Sequence, residues 1–583
     1  MNLKQKSFSG GMDLLSKDTD IDADSYRMAF NFRQRYGYGE AVQRSIDITY
    51  NLSVAGKFQG LYGVNNIWLA FFGGKAYYMV VGGTLWNRVP GLQLDSDVDY
   101  IYIAAVPGST NNYLRKAVVT GAGAIDTTAG VTTTPFSIGG TPAGVVCQDG
   151  LNIPWLITYD AVNQTATARQ LGTYAQWDNT GSTSNNMEYV PIGLRMMYLA
   201  PTLYIQAPIK NQIYRSVSGS PLNFMINIDQ DGNKLSTEAL GGAATTSFAI
   251  DFDDINCLLP SSSAESSPNV FLVATSRFIY GMATDNTNTI FGEPTFTKAF
   301  TIEAGIVNQF SVSDANGDTT FIDFEGVGFF NAVQQLKFEG RNNPLSKAIS
   351  KILVGISQSV ACTTAFNNYN IFSLKTTLGF LNAIFDNMSQ KWVSFDITAA
   401  TTSGIKMFAT ATLPDASFLA GGTTNGKIFL LFGDTATSRE TACVFARAFV
   451  PGEYVYGNFV PHTLKEEHKV NLFKALVIPG QKDGTMWATE QVDEQRGQQM
   501  QKVISGVVSG VNYPVIPPVI PNNNKRTKNI TFPFDQGLMG YKINPIFSWT
   551  SDLQFFNFDV DTTATESQQS QSEEQLTITG QNK

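Results

Sequence analysis

The chain has 583 residues, more than one hydrophobic core holds, so it must be several domains or an array of repeats. Charged residues make up only 15%, against 43% apolar, with 51 glycines and 40 phenylalanines, a vocabulary of short strands and tight turns rather than helices. A formal charge of −9 argues against a high-affinity nucleic-acid binder, which neutralises phosphates with lysine and arginine.

Four cysteines, Cys147, Cys257, Cys362 and Cys443, lie far apart with no CxxC pair. They fit assembly in a reducing compartment and leave one distant bridge open. Met1–Ser9 is polar and basic and does not read as a secretory leader. The longest apolar runs, Ile67–Phe72 and Tyr100–Val106, are strand-length, so no membrane insertion is expected.

In chain order, Ser7–Gln43 forms an arm. Gly10-Gly11 permits a tight turn, and Asp24-Ser25 reads as a helix cap before Tyr26–Arg33, which places some helix in the arm. Phe58–Val89 reads as a three-strand meander punctuated by Gly73-Gly74 and Gly82-Gly83. Thr110–Asn186 is rich in Gly, Thr and Asn with weak strands apart from Trp155–Tyr159, and reads as blades with long loops or a rim insertion. Strong strands return over Gly193–Phe224.

Val270–Tyr280, Ala304–Phe330, Ile384–Asp396 and Gly421–Phe432 each read as strand, polar turn, strand. In Ala304–Phe330, Phe310 and Val312 alternate with polar neighbours before Asn-Gly-Asp, and Phe321, Ile322 and Phe324 follow it. Asn331–Ser357 is the main helical candidate, interrupted by Pro344. Cys443–Val460 and Val470–Ile478 read as longer strands. Gln-rich Gly484–Val503 reads as a surface helix or extended loop, Tyr513–Pro521 as a polyproline-like connector, and Leu538–Val560 as a last strand pair. Thr562–Lys583, rich in Gln, Ser and Glu, is expected to be disordered or ordered only against a neighbouring subunit.

Many such units, none able to bury its apolar faces alone, predict a mainly β fold, a β-propeller of about six to eight blades with an extended N-terminal arm, loop insertions and a Pro-rich C-terminal connector. The expected division is an arm over 1–50, a propeller over 51–460 with a loop-rich insertion at 107–190, strands over 461–561 that close the propeller or form a small accessory domain, and a tail over 562–583.

Chemistry-bearing residues are sparse. His462 and His468, in HTLKEEHK, miss the i, i+4 spacing of a zinc helix, and the segment reads as a solvated polar turn. No GxSxG elbow accompanies them. Asp314, Asn316, Asp318 and Glu325 mimic part of a calcium loop, but Thr319 stands where the sharp turn wants glycine. Asp18, Asp20, Asp22 and Asp24 recur every second residue, and Asp229 and Asp231 share a turn; solvated acidic loops are the commoner reading. No phosphate-binding glycine loop is present. Neither a catalytic constellation, a metal site nor a cofactor is expected. Lys525, Arg526 and Lys528 form the densest basic cluster, a candidate contact to DNA or to another subunit.

Three segments carry a resemblance. The first is Gly10-Gly11-Met12-Asp13, then Tyr26-Arg-Met-Ala-Phe-Asn31-Phe-Arg33, then Gly39-Glu-Ala-Val42. The second is Ile213-Tyr-Arg-Ser216 with Pro221 and Phe224, and the third Ala304-Gly305-Ile-Val with Gly317-Asp318 and Gly326. In this order they resemble tail nozzle or "stabilisation" proteins of short-tailed phages, including the crAss-like group. The resemblance implies a structural virion protein of the portal–tail (neck, nozzle or muzzle) complex, assembled in the host cytoplasm and not an enzyme. It implies a cyclic ring of copies, six as in that family, stacked on a portal or adaptor ring with other tail proteins. Genomic DNA would be retained, and conducted at infection, through the ring. Phe8, Met12, Leu14, Leu15, Tyr26, Met28 and Phe30 are the arm's apolar anchors and are expected at an interface. The alternatives are a glycan- or receptor-binding propeller at the tail tip, or a glycan-cleaving propeller; the latter lacks Asp boxes and an arginine cluster.

Overall fold

The computed structural model describes residues 2–107, 118–119, 125–126, 143–171, 190–224, 248–249, 253–260, 270–284, 296–333, 345–353, 361–397, 404–432, 439–447, 467–505 and 527–564, apart from short interruptions within these stretches. Almost all of the named elements are strands, and they form a seven-bladed β-propeller merged with a β-sandwich.

Each blade is an antiparallel meander that starts at the propeller axis. The first runs through Phe58–Val64, Ile67–Phe72, Lys75–Val80 and Asn87–Arg88, the second through Tyr102–Val106, Gly144–Gln148, Trp155–Asp160 and Thr165–Gln170. The third uses Met196–Leu199, Thr202–Gln206, Gln212–Arg215 and Phe248–Ala249, and the fourth Cys257–Pro260, Val270–Ala274, Ile279–Thr284 and Phe296–Ile302. Val312–Ala315, Asp318–Ile322 and Val327–Phe329 make the fifth. Cys362–Phe366, Tyr369–Thr376, Gly379–Asp386 and Lys391–Asp396 make the sixth. The seventh takes Ile405–Leu413, Ala416–Thr423 and Ile428–Phe432, and its fourth strand is Ile46–Asp47 from the N-terminal region.

That borrowed strand closes the ring. Ile48 N–H donates to Ile428 O at 2.9 Å, and Lys427 pairs with Asp47 at 3.1 Å. Apolar clusters fill the gap between each pair of neighbouring blades, including the gap between seventh and first, where Phe58, Trp68 and Phe72 meet Met407, Ala409 and Ala420. The fifth and sixth blades meet through Ile322, Val327 and Phe385.

The sandwich is built from both ends of the chain. Arm strand Ser25–Phe30 pairs parallel with Lys391–Asp396 and antiparallel with Ala442–Ala446, extending the sixth blade outward through Ile543–Trp549, Gly484–Val492 and Gln495–Ile504. A second sheet, ordered Lys528–Pro533, His468–Ile478, Gln554–Ala564, Tyr38–Ala41 and Phe32–Arg35, covers it. Between the two sheets lies an aromatic core in which Phe8, Phe32, Phe547, Trp549, Phe555 and Phe558 contact one another in edge and tilted geometry.

Several sequence expectations change here. Tyr26–Arg33 is strand, not helix: Ser25–Phe30 pairs with Ala442–Ala446 along one edge and with Gly11–Met12 and then Phe395 along the other, and Phe32–Arg33 enter a strand paired with Tyr38–Ala41. Gly484–Val503 is a hairpin, since Met486, Ala488 and Val492 alternate into the sandwich core. Asn331–Ser357 is helical as expected where it is described, with Asn331 and Val333 in a helical turn and Leu345–Ile352 a 3-10 helix. Trp155–Asp160 and its neighbours form the second blade, the first of the two readings of Thr110–Asn186. The propeller is closed by Ile46–Asp47, while Ile543–Trp549 and Gln554–Ala564 go to the sandwich. Tyr513–Pro521 lies outside the described residues.

Phe8, Met12 and Tyr26 are core residues of the chain's own sandwich, and Leu14, Met28 and Phe30 pack against the same core. Phe8, Met12 and Tyr26 are therefore spent inside the chain's own core and are not interface anchors, while Leu14, Met28 and Phe30 are half-buried and Leu15 is 39% exposed. Deleting residues 1–44 should accordingly abolish cooperative unfolding of the sandwich rather than leave a folded monomer. Thermal unfolding followed by near-UV circular dichroism checks this, and an unchanged transition would contradict it.

Candidate functional site

Two places concentrate specific side chains, the propeller axis and the arm junction. At the axis, three consecutive residues leading into the fifth blade reach in three directions. Asn308 Nδ2 donates to Ala361 O of the sixth-blade entry at 2.8 Å. Gln309 bonds both backbone groups of Leu258 in the fourth blade, at 2.9 and 2.8 Å. Phe310 packs against clusters between blades seven and one, two and three, and six and seven, which only an axial position allows.

The Phe310 ring lies 5.0 Å from Tyr100 and stacks on Tyr102 at 6.0 Å, 4° from parallel. Tyr62 OH donates to Ile101 O at 2.5 Å, holding the second blade's inner strand against the first. Burial pushes the phenols of Tyr62, Tyr100 and Tyr102 up, so the plug is neutral. Two cations border it: the Arg195 guanidinium over Tyr102 at 5.6 Å and the Lys406 ammonium over Tyr100 at 4.3 Å. Lys406 also donates to Phe58 O at 3.2 Å and Asp99 O at 2.6 Å. Burial pushes its pKa down to about 8, against the attraction of Asp99.

At the junction, the residues of the first resemblance segment lock the arm to the sixth blade. Arg33 makes a bidentate pair with Asp396 (2.8 and 2.5 Å), donates to Ser394 Oγ at 3.0 Å, and lies over the Tyr369 ring at 5.4 Å. Burial works against its charge, and Asp396 more than offsets this, so its pKa sits above the ordinary value. Tyr26 OH donates to Val393 O at 2.6 Å. Asn31, with φ of 52°, accepts from Ile397 N–H and donates to Ile397 O and Thr441 O, joining three segments. Gly11, at φ of 75°, passes so close to Lys391 and Trp392 that a Cβ would sit 2.8 Å from Lys391 Cβ.

The other resemblance residues shape turns. Ser216 Oγ accepts from Leu203 N–H at 2.9 Å, Pro221 begins a turn, and Phe224 is buried between blades two and three. Gly305 passes Ser276 O where a Cβ would lie 2.0 Å away. Asp318 accepts from the N–H groups of Thr319 and Asn331, and Gly326 N–H donates to Asp323 at 2.6 Å. Gly10 N–H donates to Asp24 O at 2.9 Å. Gly317 lies outside the described residues.

His468 is not in a solvated turn. It starts a sandwich strand, is buried, and has Nδ1 3.1 Å from Thr562 Oγ1, because its strand is flanked on both sides. His462, Asn316, Glu325, Asp18, Asp20, Asp229, Asp231, Lys525 and Arg526 lie outside the described residues. Asp314 accepts from Thr319 Oγ1 at 2.9 Å. Among the described residues no group of three His, Cys, Asp or Glu side chains is placed to hold a metal. Lys528 is exposed at the start of an edge strand. Cys147, Cys257, Cys362 and Cys443 are free thiols, and burial pushes Cys257 up to about 12 and Cys443 up to about 11.

A cleft of ≈ 370 Å³ opens between the fourth and fifth blades, lined by residues including Arg277, Phe278, Glu303, Asp323 and the exposed Phe324. Sequence reasoning missed the axial roles of Asn308, Gln309, Phe310 and Lys406, although the first three sit in a hairpin segment it singled out. The remaining signal, a lysine in the alternating strand Ile405–Leu413, is visible only as a charge at a position that should face inward.

Neither a family profile nor a curated protein sequence matches the chain. Among solved structures, the crystal structure of an ancestral GH74 enzyme is similar at 10% identity with a TM-score of 0.36, over 70% of this chain and 51% of that one. The chain thus spans about half the length of that enzyme, a likeness too low to bear on activity.

Two measurements test these sites. Asp396→Ala strands a buried guanidinium and should cost about 3–5 kcal/mol in chemical denaturation. Lys406 binds its proton less tightly in the folded state (about 8) than a free lysine does (about 10.4). The unfolded state therefore holds more protons between these values, and this residue's contribution to stability rises with pH from about 8 upward. The difference in melting temperature between the native protein and Lys406→Met should accordingly change between pH 7.5 and about 9.5 in that direction; a constant difference would contradict it.

Proposed function

We propose that the chain is a structural protein of the portal–tail region of a short-tailed phage, a rigid wedge in a closed ring around the path of the DNA. The observation that carries this reading is the junction. The Tyr-Arg-Met-Ala-Phe-Asn-Phe-Arg segment, which bears the resemblance, supplies Tyr26, Asn31 and Arg33 to weld sandwich and propeller into one sheet. A part that must hold its shape under the pressure of packaged DNA is served by such welding more than by a mobile cleft.

The axial plug refines the reading. Phe310, Tyr100 and Tyr102 fill the axis, so DNA would pass between copies and not through a propeller. Cyclic packing of wedges forms such a channel without free ends. The acidic balance of the chain offers the duplex few counterion-releasing contacts, which favours sliding over sticking.

A second reading, a glycan-binding propeller at a tail tip, draws on the cleft beside Phe324, where an exposed ring lies among Arg277, Glu303 and Asp323. Electron microscopy of the purified protein, alone and with portal-bearing heads, separates the two. The expected result is a closed ring seated on the portal, with six copies as the resemblance implies. Monomers that stay off the heads, yet bind oligosaccharide in a manner lost in Phe324→Ala, would overturn the ring and favour the second reading.

A further inference from the structure

The hairpin Gly484–Val492/Gln495–Ile504 ends the sandwich's larger sheet, and among the described residues no strand pairs with the outer edge of Gln495–Ile504. This is a ten-residue strand, about 33 Å of backbone donors and acceptors. Only Ile504 is buried, Gly497 and Met500 are half-buried, and Val503 is 69% exposed. A long open edge is normally blunted or filled. Pairing this edge with itself across a two-fold axis in the register centred on Gln499 would bring Arg496 opposite Lys502, a like-charge juxtaposition that disfavours that solution.

The chain carries a segment with the opposite character. Residues 565–583 contain Glu566, Glu573 and Glu574 against the single Lys583, and after Glu574 apolar and polar residues alternate through Leu576, Thr577, Ile578 and Thr579. We propose that Glu573–Gly580 of a neighbouring copy adds to Gln495–Ile504 as an antiparallel strand, and that this contact links successive copies of the ring. The inference rests on the ring reading above.

Register favours it. Setting Leu576 opposite Met500 puts Glu574 opposite Lys502 and Ile578 opposite Gln498, all on one face because side chains alternate with period two. Met500 already packs against the sandwich core, so Leu576 would lengthen an existing apolar row. One register thus satisfies charge, apolar contact and the ladder together, the combination that defines strand addition.

The exit point of the segment argues for a neighbour over the same copy. Gln554–Ala564 ends with Ala564 opposite His468, which pairs on its other side with Gly540. The adjacent Tyr541 N–H donates to Asp493, in the hairpin turn, at 2.9 Å. Ala564 therefore ends on the side of the Asp493 turn, beside the start of Gln495–Ile504, and a strand added to that edge from there within the same copy would run parallel to it. Antiparallel addition, the sense of the strand's existing pairing with Gly484–Val492, needs entry from the Ile504 end, which a neighbour provides. A tail-to-edge contact is heterologous, the kind that generates rings when the rotation closes.

The test uses the full chain with charge swaps at exposed positions, read by mass photometry and analytical ultracentrifugation. Lys502→Glu and Glu574→Lys should each raise the concentration for half-assembly about five- to tenfold. The double variant should restore it, and a synthetic peptide of residues 565–583 should disperse native rings. Rings that form equally well in both single variants would overturn the tail contact while leaving the ring intact. A native protein that stays monomeric, with the labelled peptide failing to bind, would overturn both. Monomers in which spin labels at 502 and 574 lie within one copy would show docking in the same chain and overturn the link between copies.

Discussion

Neighbouring blades of a propeller share no backbone ladder, so their angular positions depend on whatever crosses the gaps. Here a polar side chain crosses every gap. Gln59 donates to the backbone leading into the second blade (Asp95 O, 2.8 Å), Gln148 to Leu194 O, and Gln206 to Ile255 O at 3.0 Å. Asn256 reaches Ile306 O, Asn308 reaches Ala361 O, Ser373 reaches Ile405 O, and Lys406 returns from the seventh blade to Phe58 O. Each such bond contributes only about 1 kcal/mol net, but leaving its buried partner unsatisfied costs about 1–3 kcal/mol. The staples thus penalise wrong blade spacing more than they reward the right one, while the apolar clusters between blades supply the bulk of the attraction.

The sandwich meets the same constraint by a different route. A sixth-blade edge strand, Lys391–Asp396, would expose a row of unpaired backbone groups. The arm strand Ser25–Phe30 covers that edge in parallel sense over a short overlap, so much of the attachment falls to side chains. Arg33 with Asp396, Tyr26 with Val393 and Asn31 with Ile397 and Thr441 meet that demand, and a buried bidentate pair specifies geometry even where its net stabilisation is small. Because the covering strand belongs to a core holding Phe8, Phe32, Trp549 and Phe555, sandwich and propeller share one continuous sheet.

The buried charged and polar groups named above fix shape. The buried cation at the axis caps two backbone carbonyls and an aromatic face, the buried guanidinium is neutralised by a carboxylate, and the one described histidine sits inside a strand pair.

The strand–turn units were legible in the letters alone. Period-two alternation and turn residues located hairpins within Val270–Tyr280, Ala304–Phe330, Ile384–Asp396 and Gly421–Phe432, which the structure forms over residues 270–284, 312–322, 379–396 and 416–432, because strand pairing across a tight turn is a local event. The sequence also marked Ala304–Phe330 as special, though for its hairpin and not for Asn308, Gln309 and Phe310. Tertiary structure alone decided which distant strand completes which sheet. Ile46–Asp47 closing the seventh blade, Ser25–Phe30 as strand instead of helix, and the apolar arm residues turning into their own core all follow from partners hundreds of residues away. A strand's edge accepts any backbone, so its own letters cannot name the partner; only the packing of the finished ring and sandwich leaves a single place for each.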